Sequence, residues 1–223
     1  MDRALSTQRG HAVLVHGAPG AGSFEFGLAL AQAWLCESPA APRALACGLC
    51  GSCRLFGSRL HPDLFVLLPE TLRRSRGWPL VSDKADVDDT KRKPSKQIRI
   101  EEVRALIDWS HHTSARGRGK MALLHPADAL NLQSASALLK TLEEPPAGTR
   151  ILLTTADPAA LLPTLQSRCQ RVRMPLPTAE MAVAWLADHE VARPEVLLAA
   201  CQGRPLEALA LSRAGVDSAA WSA

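Results

Sequence analysis

Four short apolar runs recur along the chain: HAVLVH at 11–16, DLFVLL at 63–68, KMALLH at 120–125 and RILLTT at 150–155. None alternates apolar and polar residues as a half-exposed strand does. Each is apolar through its middle, and stretches of helical periodicity lie between them. Strands of that kind need both faces covered, so the pattern predicts an α/β fold with a parallel sheet flanked by helices. A weaker fifth run spans Arg171–Met174. Among the predicted helices, Phe24–Leu35 sets Phe24, Leu28 and Leu35 at helical spacing, and Glu101–Ser110 puts Val103, Leu106 and Ile107 on one face. Leu130–Glu143 turns Leu132, Leu138, Leu139 and Leu142 inward and stops before Pro145-Pro146, which cannot continue a helix.

The 223 residues suffice for one large domain, alone or with a small one. After Pro177 the strands cease, and Thr178–His189, Pro194–Cys201 and Leu206–Ala214 read as three short helices. The chain therefore divides in expectation into 1–177 and a small helical domain, 178–223. Between Pro69 and Lys96 the periodicity dissolves into prolines and mixed charge, which reads as a mobile insertion. Its Lys91-Arg92-Lys93 run is either a solvated loop or a nucleic-acid contact. A net charge of +4 permits a nucleic-acid partner without requiring one. The N-terminal MDRALSTQRG carries no apolar signal core, and no stretch nears the ~18 apolar residues that span a bilayer. The expectation is a cytoplasmic protein without a membrane partner, whose six cysteines are thiols or metal ligands.

Cys36, Cys47, Cys50 and Cys53 are spaced C-x₁₀-C-x₂-C-x₂-C, with Gly48 and Gly51 freeing the turns. Two sulfurs from each tight C-x₂-C turn can reach one ion, and four thiolates close a tetrahedral Zn²⁺ shell. A closed shell leaves no position for water, so such a zinc is structural. Four unrelated thiols, or a redox pair, are the alternatives. Cys169 and Cys201 read as small core residues.

HGAPGAGSF, residues 16–24, follows the first strand and opens the first helix, the setting of a phosphate loop. Gly17 and Gly22 stand as G-x-x-x-x-G-K-[ST] asks, with Gly20 between them. Ser23 then occupies the place of the Lys that reaches the phosphates, and Phe24 the place of the hydroxyl that meets Mg²⁺. Gly17, Gly20, Gly22 and Ser23 thus form a degenerate phosphate loop. It closes a strand-to-helix turn and could still hold an anion weakly at a helix start.

Three stretches carry a resemblance. HGAPGAGS, ALNLQSASALLKTLEEPP (129–146) and LLTTADPAALLPTLQSRCQRVRM (152–174), with the cysteine cluster, resemble the bacterial DNA polymerase III clamp-loader subunits of the AAA+ class. The resemblance extends over about residues 1–213. It implies an AAA+ parallel sheet flanked by helices, an inserted zinc module at 36–53, and a small all-α lid domain. It also implies a helical collar domain beyond Ala223, so the chain is expected to be a fragment, monomeric without that collar.

Within that class the residues favour the ATPase-inactive delta-prime family over gamma/tau. Active members carry the Lys and Ser/Thr missing at Ser23 and Phe24, an acidic pair where this chain has His125 and Pro126, and a lid-domain Arg where it has Leu206. Asp128 falls three residues past His125, off the strand. The resemblance implies a stator-like subunit that lacks its own ATP and has no intrinsic ATPase. Within Ser167-Arg168-Cys169, it implies that Arg168 is an arginine finger reaching a neighbouring gamma/tau subunit's ATP. A guanidinium fork suits phosphate oxygens. Implied partners are the gamma/tau and delta subunits and, through the polymerase III holoenzyme complex, the sliding clamp and primer-template DNA. Two rivals remain. A gamma/tau-like ATPase would need Lys120 or another cation to replace the missing Lys. A zinc-dependent nucleic-acid module would need more charge than Glu37, Arg43, Arg54 and Arg59 supply.

Overall fold

A computed structural model describes residues 11–38, 45–79 and 93–216. The five predicted strands are all present: β1 (Ala12–His16), β2 (Leu64–Leu67), β3 (Lys120–Leu124), β4 (Thr149–Thr155) and β5 (Gln170–Arg173). They form one sheet in the order β2-β3-β4-β1-β5. β2 pairs parallel with β3 from Leu64↔Met121 to Leu67↔Leu124, and β3 with β4 from Lys120↔Thr149 to Leu124↔Leu153. β3 is buried at all five positions, its apolar run Met121–Leu124 and Lys120 alike.

Helices α1 (Ser23–Leu35), α2 (Gly51–Gly57), α3 (Glu70–Ser75), α4 (Ile100–His111), α5 (Leu132–Glu143) and α6 (Pro163–Gln166) accompany the sheet. One cluster joins Leu14, Phe65, Leu67, Leu124, Ile151 and Leu153 of the strands to Val103 and Leu106 of α4 and to Leu138 and Leu142 of α5. In α1, Gly27 lies so close to the sheet that a Cβ would come within 2.9 Å of Leu123 Cδ1. The core positions of α1 are Phe24, Leu30, Ala31 and Leu35, whereas Leu28 is only half-buried.

Two expectations need correction. α5 starts at Leu132, because the side chain of Asn131 caps it by accepting from Ser134 N at 2.9 Å. Leu132 then lies in the first turn, pointing to solvent at 68% exposure instead of inward. The 69–96 stretch is not structureless from its start, since α3 occupies Glu70–Ser75. Its anchor is charged: the buried Glu70 carboxylate accepts from Ser95 N at 3.1 Å and from Arg99 at 3.2 Å, and pairs with Arg74. Residues 80–92, including Lys91 and Arg92, lie outside the described residues, as does 39–44 of the cysteine module.

The described residues fall into two compact units, 11–15 with 24–172, and 16–23 with 173–216. The second unit holds α7 (Ala179–Asp188), α8 (Pro194–Ala200) and α9 (Pro205–Arg213) around Ala182, Leu186, Leu197, Leu198, Cys201 and Leu209. Thr178 caps α7, accepting from Met181 N at 3.3 Å. Pro194 and Pro205 open α8 and α9, where a missing N–H costs nothing.

Candidate functional site

Cys36 follows the last residue of α1, Cys47 and Cys50 lie in the approach to α2, and Cys53 is in its first turn. Their sulfurs all lie within 4.8 Å of one another, with Cys36–Cys50 and Cys47–Cys53 each at 4.0 Å. A tetrahedral ion with Zn–S bonds of ~2.3 Å needs sulfurs roughly 3.8 Å apart, so the donor set fits a zinc-sized ion after a small contraction. The chain turns around these sulfurs: Cys47 N donates to Cys36 Sγ, Cys50 N to Cys47 Sγ and Cys53 N to Cys50 Sγ, each at 3.4 Å. Burial works against ionising Cys50, yet the N–H groups around it bring the thiol down to about 6. Burial pushes Cys53 up to about 12. Four thiolates this close repel one another unless a cation sits among them.

A polar layer behind the sulfurs, which spacing alone could not reveal, ties the module to the sheet. Buried Ser52 donates to Leu35 O at 2.7 Å and meets His61 Nε2 at 2.5 Å, while His61 Nδ1 accepts from Asp63 N at 3.0 Å. That assigns the Nε2–H tautomer to His61, and burial holds its pKa below the ordinary histidine value. His61 is thus structural, while His111 and His112 are exposed. Arg116 Nε donates to Glu37 Oε1 at 2.6 Å, and its main chain donates to Asp63 at 2.8 Å.

Phe24 and His125, which the resemblance sets at the places of a magnesium-binding hydroxyl and acid, meet each other. The ring centroids of Phe24 and His125 are 4.8 Å apart. Trp78 stands edge-on to Phe24 at 6.0 Å, and the Arg76 guanidinium lies 4.4 Å from the Phe24 centroid. Arg76 in turn pairs with Glu25 at 2.8 Å. His125 Nδ1 is 2.7 Å from Thr154 Oγ1, and burial, helped by Arg76, pulls its pKa down to about 4. Asp128 lies in a 3₁₀ turn, Ala127–Ala129, where it accepts from Thr155 Oγ1 at 2.6 Å. Lys120 begins β3, five residues before His125, with Nζ on the Trp109 carbonyl and 4.3 Å from the Trp109 ring centroid.

The glycine loop belongs to the second unit and is packed there. A Cβ on Gly17 would strike the Met174 carbonyl at 2.6 Å. Gly20 has φ +73°, its carbonyl accepts from Leu206 N at 3.3 Å, and a Cβ there would press on the Cβ atoms of Arg204 and Glu207 at 3.3 Å. Gly22, at φ +94°, lets the chain turn into Ser23 and α1. Arg204, two residues before Leu206, is paired with Glu207 at 2.8 Å and donates to Cys201 O at 2.8 Å.

In Ser167-Arg168-Cys169 the three side chains differ in surroundings. Cys169 is buried, which pushes its thiol up to about 11. Ser167 ends α6 and donates to Thr164 O at 3.1 Å. Arg168 keeps its guanidinium at the surface against Glu143 and the Thr164 carbonyl. The Glu143 contact joins two quoted motifs that are 25 positions apart.

A family described as DNA polymerase III, delta subunit, matches residues 2–178. The chain is 39% identical over 217 residues to the DNA polymerase III subunit delta' of Pseudomonas aeruginosa, covering 94% of this chain and 58% of that protein. It is 33% identical to the delta' subunit of Escherichia coli, covering 90% of this chain and 54% of that protein. Against the E. coli tau subunit it is 30% identical, covering 93% of this chain and 29% of that one. The chain thus spans little more than half the length of the delta' relatives. Among solved structures, a DNA polymerase III gamma subunit-related protein from Thermotoga maritima superposes with TM-score 0.57 at 18% identity, covering 98% of this chain and 58% of that one. That likeness shows the AAA+ fold, and no described helix is long and apolar enough to cross a membrane. With the family match over most of its length, the chain belongs to the DNA polymerase III delta-prime family.

Proposed function

We propose that this chain is the AAA+ part of a clamp-loader subunit that does not hydrolyse ATP and instead lends Arg168 to a neighbour's ATP. The observation that carries the reading is the contact between Phe24 and His125. Magnesium-dependent hydrolysis needs a hydroxyl and a carboxylate on the metal. Here those two places hold rings in tilted contact, one of them an imidazole kept neutral by burial, with an arginine over the other. A guanidinium there repels Mg²⁺, and Lys120 is committed to Trp109. In this reading Gly17, Gly20, Gly22 and Ser23 form a packing turn with little or no affinity for nucleotide.

Arg168 is surface-held, and its planar fork suits a γ-phosphate acquiring charge. The neighbour would be a gamma/tau ATPase, assembled with delta to load the sliding clamp at primer-template DNA in the cytoplasm. Residues 1–177 would form the core and 178–223 the lid. Cys36, Cys47, Cys50 and Cys53 would hold a structural Zn²⁺, which when bound closes the turn between α1 and α2 and offers no site for water.

Titrating the chain with a fluorescent ATP analogue and Mg²⁺, while assaying phosphate release, tests the first half. Neither binding up to millimolar nucleotide nor turnover is expected. Micromolar binding with turnover that vanishes in a variant of this chain would make it an ATPase.

A further inference from the structure

Arg168 comes to the surface already held. Its Nε donates to Glu143 Oε1 at 2.5 Å, its Nη2 meets the same carboxylate oxygen, and its Nη1 donates to Thr164 O at 2.7 Å. Ser167 Oγ, at 3.4 Å from Nη1, is too far for a firm bond. A guanidinium carries five N–H donors. Three are occupied, and one remains on each terminal nitrogen for a phosphate oxygen.

The holders are themselves fixed. Glu143 is the last residue of α5, whose Leu138 and Leu142 are fully buried, and Pro145-Pro146 follow. Thr164 is in α6 beside Leu165, which is 1% exposed. An arginine on four rotatable bonds is thereby pinned from two core-anchored helices.

We propose that Glu143 is the positioning residue of Arg168, orienting its guanidinium for an anion supplied by a neighbouring subunit. This rests on the arginine-finger reading above. The contrary possibility is a brake, in which the carboxylate competes with the phosphate for the guanidinium. The contact pattern favours the holder: Glu143 takes the side of the fork that includes Nε and leaves an N–H on each terminal nitrogen available. A pair with its glutamate half-exposed is also too weak to restrain an effect as large as an arginine finger's.

The test uses the full-length subunit reconstituted with its gamma/tau and delta partners, the clamp and primed DNA. Arg168→Ala first defines the part of ATP turnover that depends on the finger. Glu143→Gln is expected to cut that part of kcat about tenfold, with KM for ATP little changed, because orientation and not ground-state binding is lost. Glu143→Asp should restore part of it, and Glu143→Gln should add nothing to Arg168→Ala. Glu144→Gln, one residue on, should match the parent, as should the thermal midpoint of Glu143→Gln. If Arg168→Ala is impaired while Glu143→Gln turns over as fast as the parent or faster, Glu143 is no positioning residue and the finger reading stands. If Arg168→Ala itself is unimpaired, the finger reading fails and this inference with it.

Discussion

At the first turn of α1, Phe24 stands among rings and an arginine that belong to the chain itself; one residue past its last turn, Cys36 faces three other thiols. The helix has 13 residues, so the two sites lie roughly 18 Å apart on one rigid rod. The first is complete as folded: apolar faces meet, the imidazole is neutral, and the cation has a carboxylate partner. The second brings four sulfurs together where an ion could sit. In the reading proposed above, packing takes the place of a metal at the first site, whereas the four convergent sulfurs of the second can hold an ion.

The largest expected effect follows from that asymmetry. Metal analysis of the purified chain should find one zinc per molecule. Stripping it with a chelator, or substituting Cys50→Ser, should lower the thermal midpoint by about 10 °C or more, because binding energy at a structural site is folding energy. A metal-free chain indifferent to chelator would erase the contrast.

Next comes Phe24→Ala. Phe24 is 3% exposed, and its loss should cost about 3–5 kcal/mol in urea unfolding. The increment should be equal with and without zinc, since sites this far apart add independently. A cost that appears only in the zinc-loaded protein would mean the two ends of α1 communicate. Smaller still, Ser52→Ala should cost about 2 kcal/mol by leaving the Leu35 carbonyl and the His61 N–H unpaired. It should also weaken zinc retention against a competing chelator, as Ser52 adjoins Cys53 and fixes the turn around it.

What could be read from the sequence follows the range of the forces involved. The strands were legible because burial on both faces leaves unbroken apolar runs, and the cysteines because C-x₂-C is a local geometry. Strand order was not legible, since register depends on partners far along the chain. The helix at Glu70–Ser75 leaves no periodic signal in the sequence because a buried carboxylate ringed by Arg74, Arg99 and Ser95 N anchors it, with no apolar stripe. Periodicity alone turns Leu132 inward, but Asn131 is the stronger signal as a cap. Phe24 and His125 stand out in the sequence as departures from the residues that the resemblance leads one to expect. That Arg76 and Trp78 join them was not legible, because these come from a stretch whose prolines and charges concealed its structure.

The smallest effect isolates the imidazole within the filled position. The pKa of His125 falls from 6.5 to about 4 on folding, chiefly through burial, with Arg76 adding to the shift and Glu25 and Asp128 opposing it. Between those values the unfolded chain takes up a proton that the folded chain refuses. Stability from this group is therefore lost as pH falls below about 6.5, and the loss levels off near pH 4. Between pH 7 and pH 5.5 it amounts to about 1 kcal/mol. Zinc thiolates weaken over the same range, so the measurement is a difference. Urea unfolding of parent and His125→Gln at both pH values, with zinc saturating, should give a shallower pH slope in the variant. Equal slopes would mean that the folded chain takes up the His125 proton as readily as the unfolded one, and at pH 5.5 the ring against Phe24 would then carry a second charge beside Arg76.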